Sequence, residues 1–176
     1  LTLMFAEPGI AATKALVLGA WMENGESYEI SPAKAIEFLV AHKDALPNLK
    51  ALFIGDIISE ENEMSWIEQT DLAPIWAAFP LLEEVGVRGG NNLRLSRINH
   101  SHLRKLVVQT GGMAKTILTD AFEANAPLEH LELWLGSDDY GADTSVKDLE
   151  PIMAGGLFPA LKYLGLCNSE YSDEIA

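Results

Sequence analysis

The sequence predicts an α/β solenoid in which about six parallel strands form one face and mostly helical return segments form the other. Three observations lead to this prediction. A short leucine motif recurs along the chain, helix signals separate most of its copies, and one interval is too short for a helix. The motif reads L-x-x-L-x-L, as in Leu128-Glu-His-Leu131-Glu-Leu133. Equivalent positions of the six copies are Leu16, Leu52, Val85, Leu106, Leu131 and Leu164.

Each copy is expected to form a short strand with one buried side. The two aliphatic residues of L-x-L are two positions apart, so their side chains point to the same side of a strand. A unit of this kind buries them only by stacking on its neighbours. The intervals between the equivalent positions are 36, 33, 21, 25 and 33 residues, so the return segments must differ in kind. Right-handed connections are expected throughout.

Helix signals occupy four of the returns. Ser31, Asp71 and Ser145 are expected to act as N-caps, with Pro32 at a first helical position and Gly155-Gly156 as a stop signal. The predicted helices cover residues 33–45, 72–78, 113–124 and 146–154. The segment between Arg88 and Leu103 has only 14 residues, so an extended or 3₁₀ return is predicted there. Strand–helix alternation alone also fits a doubly wound α/β domain, which is the alternative fold.

The composition is that of a globular protein with an acidic surface. Of 176 residues, 26 are acidic and 12 basic, the net charge is −14, and 48% are apolar. This charge repels nucleic acid and anionic lipid, so neither is expected as a partner. No apolar stretch approaches the ~20 residues of a membrane-spanning helix. The lone Cys167 excludes an internal disulfide and favours the cytoplasm.

We expect one domain over residues 1–176, belonging to a longer native chain with further C-terminal repeats. Ser172 begins the pattern of a helix N-cap and first turn, and no helix follows it.

Several longer strings resemble a known family. The repeats are similar to those of the leucine-rich-repeat superfamily, and five strings resemble one bacterial family of cytoplasmic leucine-rich-repeat proteins with no assigned activity. These strings are Ser65-Trp-Ile-Glu-Gln69, Arg88-Gly-Gly90, Leu131-Glu-Leu-Trp-Leu-Gly136, Asp139-Tyr-Gly141 and Leu164-Gly-Leu-Cys-Asn-Ser-Glu170. The resemblance runs from about Ala15 to Ala176 and implies a right-handed horseshoe with the strands on its concave face. The asparagine ladder of the superfamily is missing, and glycines stand near that turn instead: Gly55, Gly90, Gly111 and Gly136.

The residues that alternate with the leucines are expected to form the concave face in three rows across the strands. The first row holds Ala15, Ala51, Glu84, Lys105, His130 and Tyr163, the second Val17, Phe53, Gly86, Val107, Glu132 and Gly165, and the third Gly19, Gly55, Arg88, Gln109, Trp134 and Cys167. The binding candidates among them are Phe53, Arg88, Gln109, Glu132, Trp134 and Tyr163. Trp134 ranks first, because an exposed tryptophan near Arg88 and Tyr163 has the composition of a protein-binding hot spot. The alternative is that the following loop covers Trp134.

Two loops at the strand exits add candidates. Asp138, Asp139 and Tyr140 are predicted to form a binding loop, although Asp and Gly are also typical of ordinary turns. The segment from Asp56 to Trp66 is either a second acidic edge of the same rim or a solvated insertion. Residues 85–119 contain six basic and no acidic residues. This band either docks an anionic ligand or acidic protein, or neutralises neighbouring acidic repeats.

A non-catalytic protein–protein interaction module, without cofactor or metal, is therefore the expected function. The histidines show no metal-binding spacing. One alternative is a small-ligand-binding protein or enzyme that uses Asp138, Asp139 and Glu132 against Arg88. Another is a structural segment of a larger protein. The pattern carries no signal of oligomeric state.

Overall fold

The centre of the fold is an open sheet of six parallel strands. The computed structural model describes residues 2–21, 30–171 and 173, so the N-cap signal at Ser172 lies outside the described residues. The strands follow one another across the sheet in chain order, without the reversal that defines a doubly wound sheet. Their bounds are β1 Ala15–Leu18, β2 Ala51–Ile54, β3 Glu84–Arg88, β4 Lys105–Gln109, β5 His130–Gly136 and β6 Tyr163–Ser169. The predicted α/β class with six parallel strands is confirmed.

The predicted register is confirmed wherever the strands pair. Ala15, Ala51, Glu84, Lys105, His130 and Tyr163 are aligned in one row, and Val17 to Gly165 follow in the next. In the third row Arg88, Gln109, Trp134 and Cys167 are aligned, whereas Gly19 and Gly55 lie beyond the ends of β1 and β2. A slip of one residue would turn the leucines of a strand to the opposite face of the sheet, so period-2 alternation excludes that register.

One face of the sheet carries the hydrophobic core. In β1 to β5 the aliphatic side chains on this face are at most 8% exposed; Leu16 is the most exposed, and Leu133 is fully buried. Burial of each such side chain stabilises the fold by roughly 1.5–3 kcal/mol. In β6 the expectation of a fully buried leucine is wrong: Leu164 is 36% exposed, and Leu166 is only partly buried. β6 is an edge strand, as β1 is, but Met4, Phe5 and Ile10 precede β1 and pack against the core, whereas no described residue after Leu166 does so.

Over the described ranges, four helices contribute buried side chains to the same hydrophobic core and therefore pack on the leucine face of the sheet. The helix bounds are α1 Thr2–Phe5, α2 Ala33–Ala41, α3 Ala73–Ala78, α4 Lys115–Phe122 and α5 Val146–Met153. None of the helices in the described part of the chain is long and apolar enough to cross a bilayer.

The predicted helix starts are partly corrected. In α2 the N-cap is Pro32, and the Ser31 hydroxyl only accepts a 3.4 Å hydrogen bond from the Ala33 amide. In α3 the N-cap is Leu72, while Asp71 Oδ1 accepts the Ala73 amide at 2.9 Å. At α5 the prediction is confirmed, because Ser145 and Asp148 form a reciprocal capping box.

The return between β3 and β4 contains no helix, as the interval of 14 residues predicts. Its Leu93 and Leu95 are buried, and isolated parallel bridges join it to neighbouring returns. Asp120 of α4 anchors it, accepting hydrogen bonds from Arg94 Nε at 2.9 Å and from the Leu95 and Ser96 amides at 3.2 and 3.0 Å. Burial alone would raise the pKa of Asp120, but Arg94 and these amides outweigh it and lower the pKa. No pattern in the sequence pointed to this anchor.

A ladder of charged residues runs along the amino edge of the sheet, one position before each strand. Its members are Lys14, Lys50, Glu83, Arg104, Glu129 and Lys162, and each after the first bonds its amide to the backbone carbonyl of the one before. Lys50 Nζ lies 2.6 Å from Glu83 Oε1. Glu129 pairs with two residues, with Arg104 Nη1 at 2.8 Å and Lys162 Nζ at 2.6 Å. Hydrogen bonds from Lys50 and from Lys162 lower the pKa values of Glu83 and Glu129, respectively. Both acids of this ladder are therefore paired with basic residues of neighbouring units.

Candidate functional site

The face of the sheet opposite the core, here called the exposed face, differs between its two halves. Over β1 to β3 it is mainly apolar, with Val17 55% exposed and Phe53 half-buried. Over β4 to β6 it carries polar and aromatic groups: Gln109, His130, Glu132, Trp134 and Tyr163. The sequence predicts the polar half, but it does not single out Val17 in the apolar half or Val107, a buried valine of β4 that adjoins it.

The ring of Phe53 lies over Gly86 of β3. A Cβ built at Gly86 would collide with the ring and stand 2.7 Å from its Cε2 atom, so the ring occupies the space that a side chain there would fill. Around it lies a hollow of about 360 Å³ whose lining includes Val17, Phe53, Gly86 and Val107. The signal was in the sequence, because Phe53 and Gly86 are neighbours in the predicted middle row, and a strand glycine marks a close approach.

Arg88 lies beside two residues that line this hollow, Phe53 and Gln109, and its guanidinium group is already bonded. Its Nε donates to Gln109 Oε1 at 2.8 Å and its Nη1 to the Ile57 carbonyl at 3.0 Å. The guanidinium carbon lies 5.9 Å from the centre of the Phe53 ring. Gln109 and the Ile57 carbonyl thus hold Arg88 in place at the end of β3.

Trp134 is partly buried and tied to its own strand. Its indole Nε1 donates to Glu132 Oε1 at 2.8 Å. Tyr163 does not stack on Trp134, since its ring lies on His130 with centroids 4.1 Å apart. The Glu132 carboxylate raises the pKa of Tyr163, and burial followed by Glu132 raises the pKa of Cys167. The thiol therefore stays protonated near neutral pH and is a weak nucleophile.

The carboxyl edge of the sheet holds a second hollow, of about 460 Å³. It lies between two turns, one including Glu63, Met64 and Ser65 and the other Ser137 and Tyr140, with residues 168–170 on the third side. Gly111 and Gly136 contribute the backbone between them. The sequence places Asp138, Asp139 and Tyr140 at this edge but does not predict the hollow.

Glycines bring backbone segments into contact along this edge. A Cβ at Gly136 would overlap the Gly111 carbonyl and stand 2.6 Å from the Gly112 amide nitrogen. At Gly89 it would stand 2.7 Å from the Ile67 carbonyl oxygen. Gly136, one of the turn glycines noted in the sequence, is thus a position where no side chain fits without displacing backbone, and so is Gly89.

The alternative catalytic grouping is not assembled. Asp138 and Asp139 are exposed in a 3₁₀ turn, Glu132 is bonded to Trp134, and Arg88 is bonded to Gln109 and Ile57. Among the described residues, no hydrogen bond or ion pair joins these four side chains.

The basic band at residues 85–119 is largely neutralised by neighbouring units. Its ion pairs are Arg94–Asp120, Arg104–Glu129, Lys105–Glu84 and Lys115–Asp148. Of the two interpretations of this band, the geometry favours charge compensation over anion docking. Within the part of the chain that the structure describes, no group of three or more histidine, cysteine, aspartate or glutamate side chains could hold a metal ion.

Comparison with known proteins gives one informative likeness. The chain is similar to a crystal structure of a protein from Bacteroides fragilis, with a TM-score of 0.87 and 32% identity over 96% of this chain. It spans about half of that protein, 47% of its length. The two share a fold. No protein-family model matches the chain, and no curated protein matches it.

Proposed function

We propose that this chain is a leucine-rich-repeat solenoid that binds a partner protein through the exposed face of its sheet and the loops at its carboxyl edge, without catalysing a reaction. Three features support the solenoid: the parallel strands follow one another in chain order, the helices pack on one face of the sheet, and the leucine motif recurs in each strand. The single cysteine of the chain, Cys167, is free of disulfide bonding, which supports a reducing compartment, the cytoplasm.

The observation that carries the binding role is the Phe53 platform. An aromatic ring lies on the Gly86 backbone beside the exposed Val17, in a hollow whose rim holds charged residues. An apolar centre within a polar rim is the usual anatomy of a protein interface. An apolar or aromatic side chain of the partner fits this hollow.

The polar groups around the platform are arranged before any partner arrives. Glu84 lies 3.7 Å from Lys105, Arg88 is bonded to Gln109, and Glu132 is bonded to Trp134. Groups held in one geometry lose little conformational entropy when a partner binds. The rigid aromatic side chains Phe53 and Trp134 are of the kind that dominate binding energy.

The proposal is tested by placing a charge in the hollow. Because the Val17 side chain is 55% exposed, Val17→Asp should leave the core intact. Protein captured from a native lysate by the wild type is purified, and its affinity is measured by calorimetry. We expect Val17→Asp to weaken binding at least about tenfold, and Trp134→Ala with Arg88→Glu to weaken it further.

Met153→Asp is the matched control, since Met153 is also an exposed apolar residue, 46% exposed, but on α5. It should bind as the wild type does. If Val17→Asp, Trp134→Ala and Arg88→Glu all bind every captured partner with wild-type affinity, the exposed face is not the binding surface.

A further inference from the structure

We propose that the hollow at the carboxyl edge binds a lysine- or arginine-bearing segment of a partner protein. This inference rests on the proposed binding role and names the chemistry of the partner at one part of the surface. It is argued from the shape of the hollow, the exposed aromatic residues beside it and the charge around it.

Exposed apolar groups mark this edge as a contact surface. Trp66 is 59% exposed, Tyr140 58% and Ile58 55%. Tyr140 lines the hollow, and Trp66 belongs to the same 3₁₀ turn as Met64 and Ser65, which also line it. Large aromatic side chains that stay in solvent on two adjacent turns are uncommon unless something covers them.

Charge decides what kind of group fits. Glu63 and Glu170 line the hollow, and no basic residue does so among the residues that the structure describes. The same edge also carries Asp56, Glu60, Glu61, Asp138 and Asp139. Among the described residues, none of these carboxylates lies within ion-pair distance of a lysine or arginine.

The nearest cations are engaged elsewhere. Arg88 reaches this edge but donates to Gln109 and to the Ile57 carbonyl. Lys115 follows the β4 exit but pairs with Asp148 at 2.5 Å. The amino edge of the same sheet pairs its own acids, so unpaired acids are not a general property of this acidic chain.

A cationic side chain satisfies both features at once. An ammonium or guanidinium group in the hollow gains charge pairing with Glu63 or Glu170, and Tyr140, which also lines it, offers an aromatic ring to a cation. The exposed Trp66 ring on the adjoining turn offers a second contact to the same segment. The hollow of about 460 Å³ has the size of a small-ligand site. An acidic or uncharged segment would leave the carboxylates unpaired.

The experiment uses the whole chain and a fluorescein-labelled octapeptide, Gly-Lys-Leu-Lys-Arg-Leu-Lys-Gly, with its counterpart that has Glu at each basic position. Binding is measured by fluorescence anisotropy at low and at physiological ionic strength. We expect the basic peptide to bind, more weakly as salt rises, and the acidic peptide not to bind. Equal binding of the two peptides would overturn the proposal.

The variant pair Glu63→Gln with Glu170→Gln separates this site from general attraction by the net charge of −14. It should lower the affinity for the basic peptide about tenfold, as expected when two exposed charge pairs are lost. Its control is Glu37→Gln with Glu150→Gln, which removes the same charge from exposed positions on α2 and α5 and should change affinity less than about twofold. Equal losses in the two pairs would refute a site at this edge.

Removing the aromatic contacts gives an independent readout. Trp66→Ala with Tyr140→Ala should also weaken the basic peptide about tenfold while net charge stays unchanged. No change in this variant would contradict the aromatic part of the site. Val17→Asp should still bind the peptide, so failure here and failure of the proposed function can be told apart.

Discussion

The two edges of this sheet are held together in different ways. At the amino edge, side-chain ion pairs link neighbouring units, since Glu83 and Glu129 pair with basic residues at 2.6–2.8 Å. At the carboxyl edge, glycines allow backbone segments to touch, as Gly136 does with Gly111 and Gly112. One carboxylate there also joins two segments, since Glu170 Oε2 accepts a 3.3 Å hydrogen bond from the Asp138 amide. Among the described residues, the acids of the amino edge have basic partners, whereas Glu63 and Glu170 at the carboxyl edge have none.

Gly136→Ala tests the backbone contacts and should have the largest effect. Gly136 has φ +71°, and a Cβ there would overlap the Gly111 carbonyl. We expect a loss of about 3 kcal/mol or more in the free energy of unfolding, from strain and displacement together. Urea denaturation measures it.

Gly141→Ala is the control for backbone strain alone. Gly141 has φ +86°, but a Cβ at this position would meet nothing within 4 Å. The loss should therefore be only about 1 kcal/mol. Equal losses at the two glycines would mean that the close approach at Gly136 carries no cost of its own.

Glu129→Gln tests the amino edge, with a smaller effect that depends on pH. Lys162 and Arg104 lower the pKa of Glu129 below its ordinary 4.5 in the folded protein. Its stabilising contribution is therefore complete above that value and disappears as the pH falls through the lowered pKa. The melting temperatures of the wild type and of Glu129→Gln should differ near pH 7 and become equal in acid. A constant difference at every pH would argue against the ion pairs.

Glu63→Gln and Glu170→Gln should have the smallest effect on stability. Neither carboxylate has a basic partner among the described residues, so each change should alter the free energy of unfolding by no more than about 0.5 kcal/mol. Chemical denaturation at neutral pH checks this. A clear loss would show that these acids hold the carboxyl edge together and would remove the contrast between the edges.

The sheet could be predicted from the sequence because its information is local. Each L-x-L pair fixes a strand face, and aligning Leu52, Val85 and Leu106 gives the register that the structure has. The exposure of Leu164 was missed, because burial in an edge strand depends on what packs beside the strand and not on the motif itself. β1 is also an edge strand, yet its Leu16 is only 8% exposed. Ser31 shows a similar limit, since the next residue, Pro32, takes the N-cap position instead.

The site was predictable only in part. Arg88, Glu132 and Trp134 follow from the rows, since their places depend on register alone. The contacts of these side chains do not follow from the rows. Arg88 donates a hydrogen bond to the Ile57 carbonyl in a loop, and the Tyr163 ring stacks on His130 and not on Trp134. The carboxyl-edge hollow joins turns more than 70 residues apart, Ser65 and Ser137, and no sequence pattern relates them.

The sequential strand order has a consequence for how the molecule opens. Each strand hydrogen-bonds only to those next to it in the chain, so separating β6 breaks a single ladder and leaves β1 to β4 intact. Amide protons should therefore exchange with solvent earliest in β6, and the inner strands should be the last to exchange. β1 is the other edge strand, but its Leu16 and Leu18 are buried, so loosening should begin at β6. The Phe53 platform lies on β2 and β3, away from that end of the sheet.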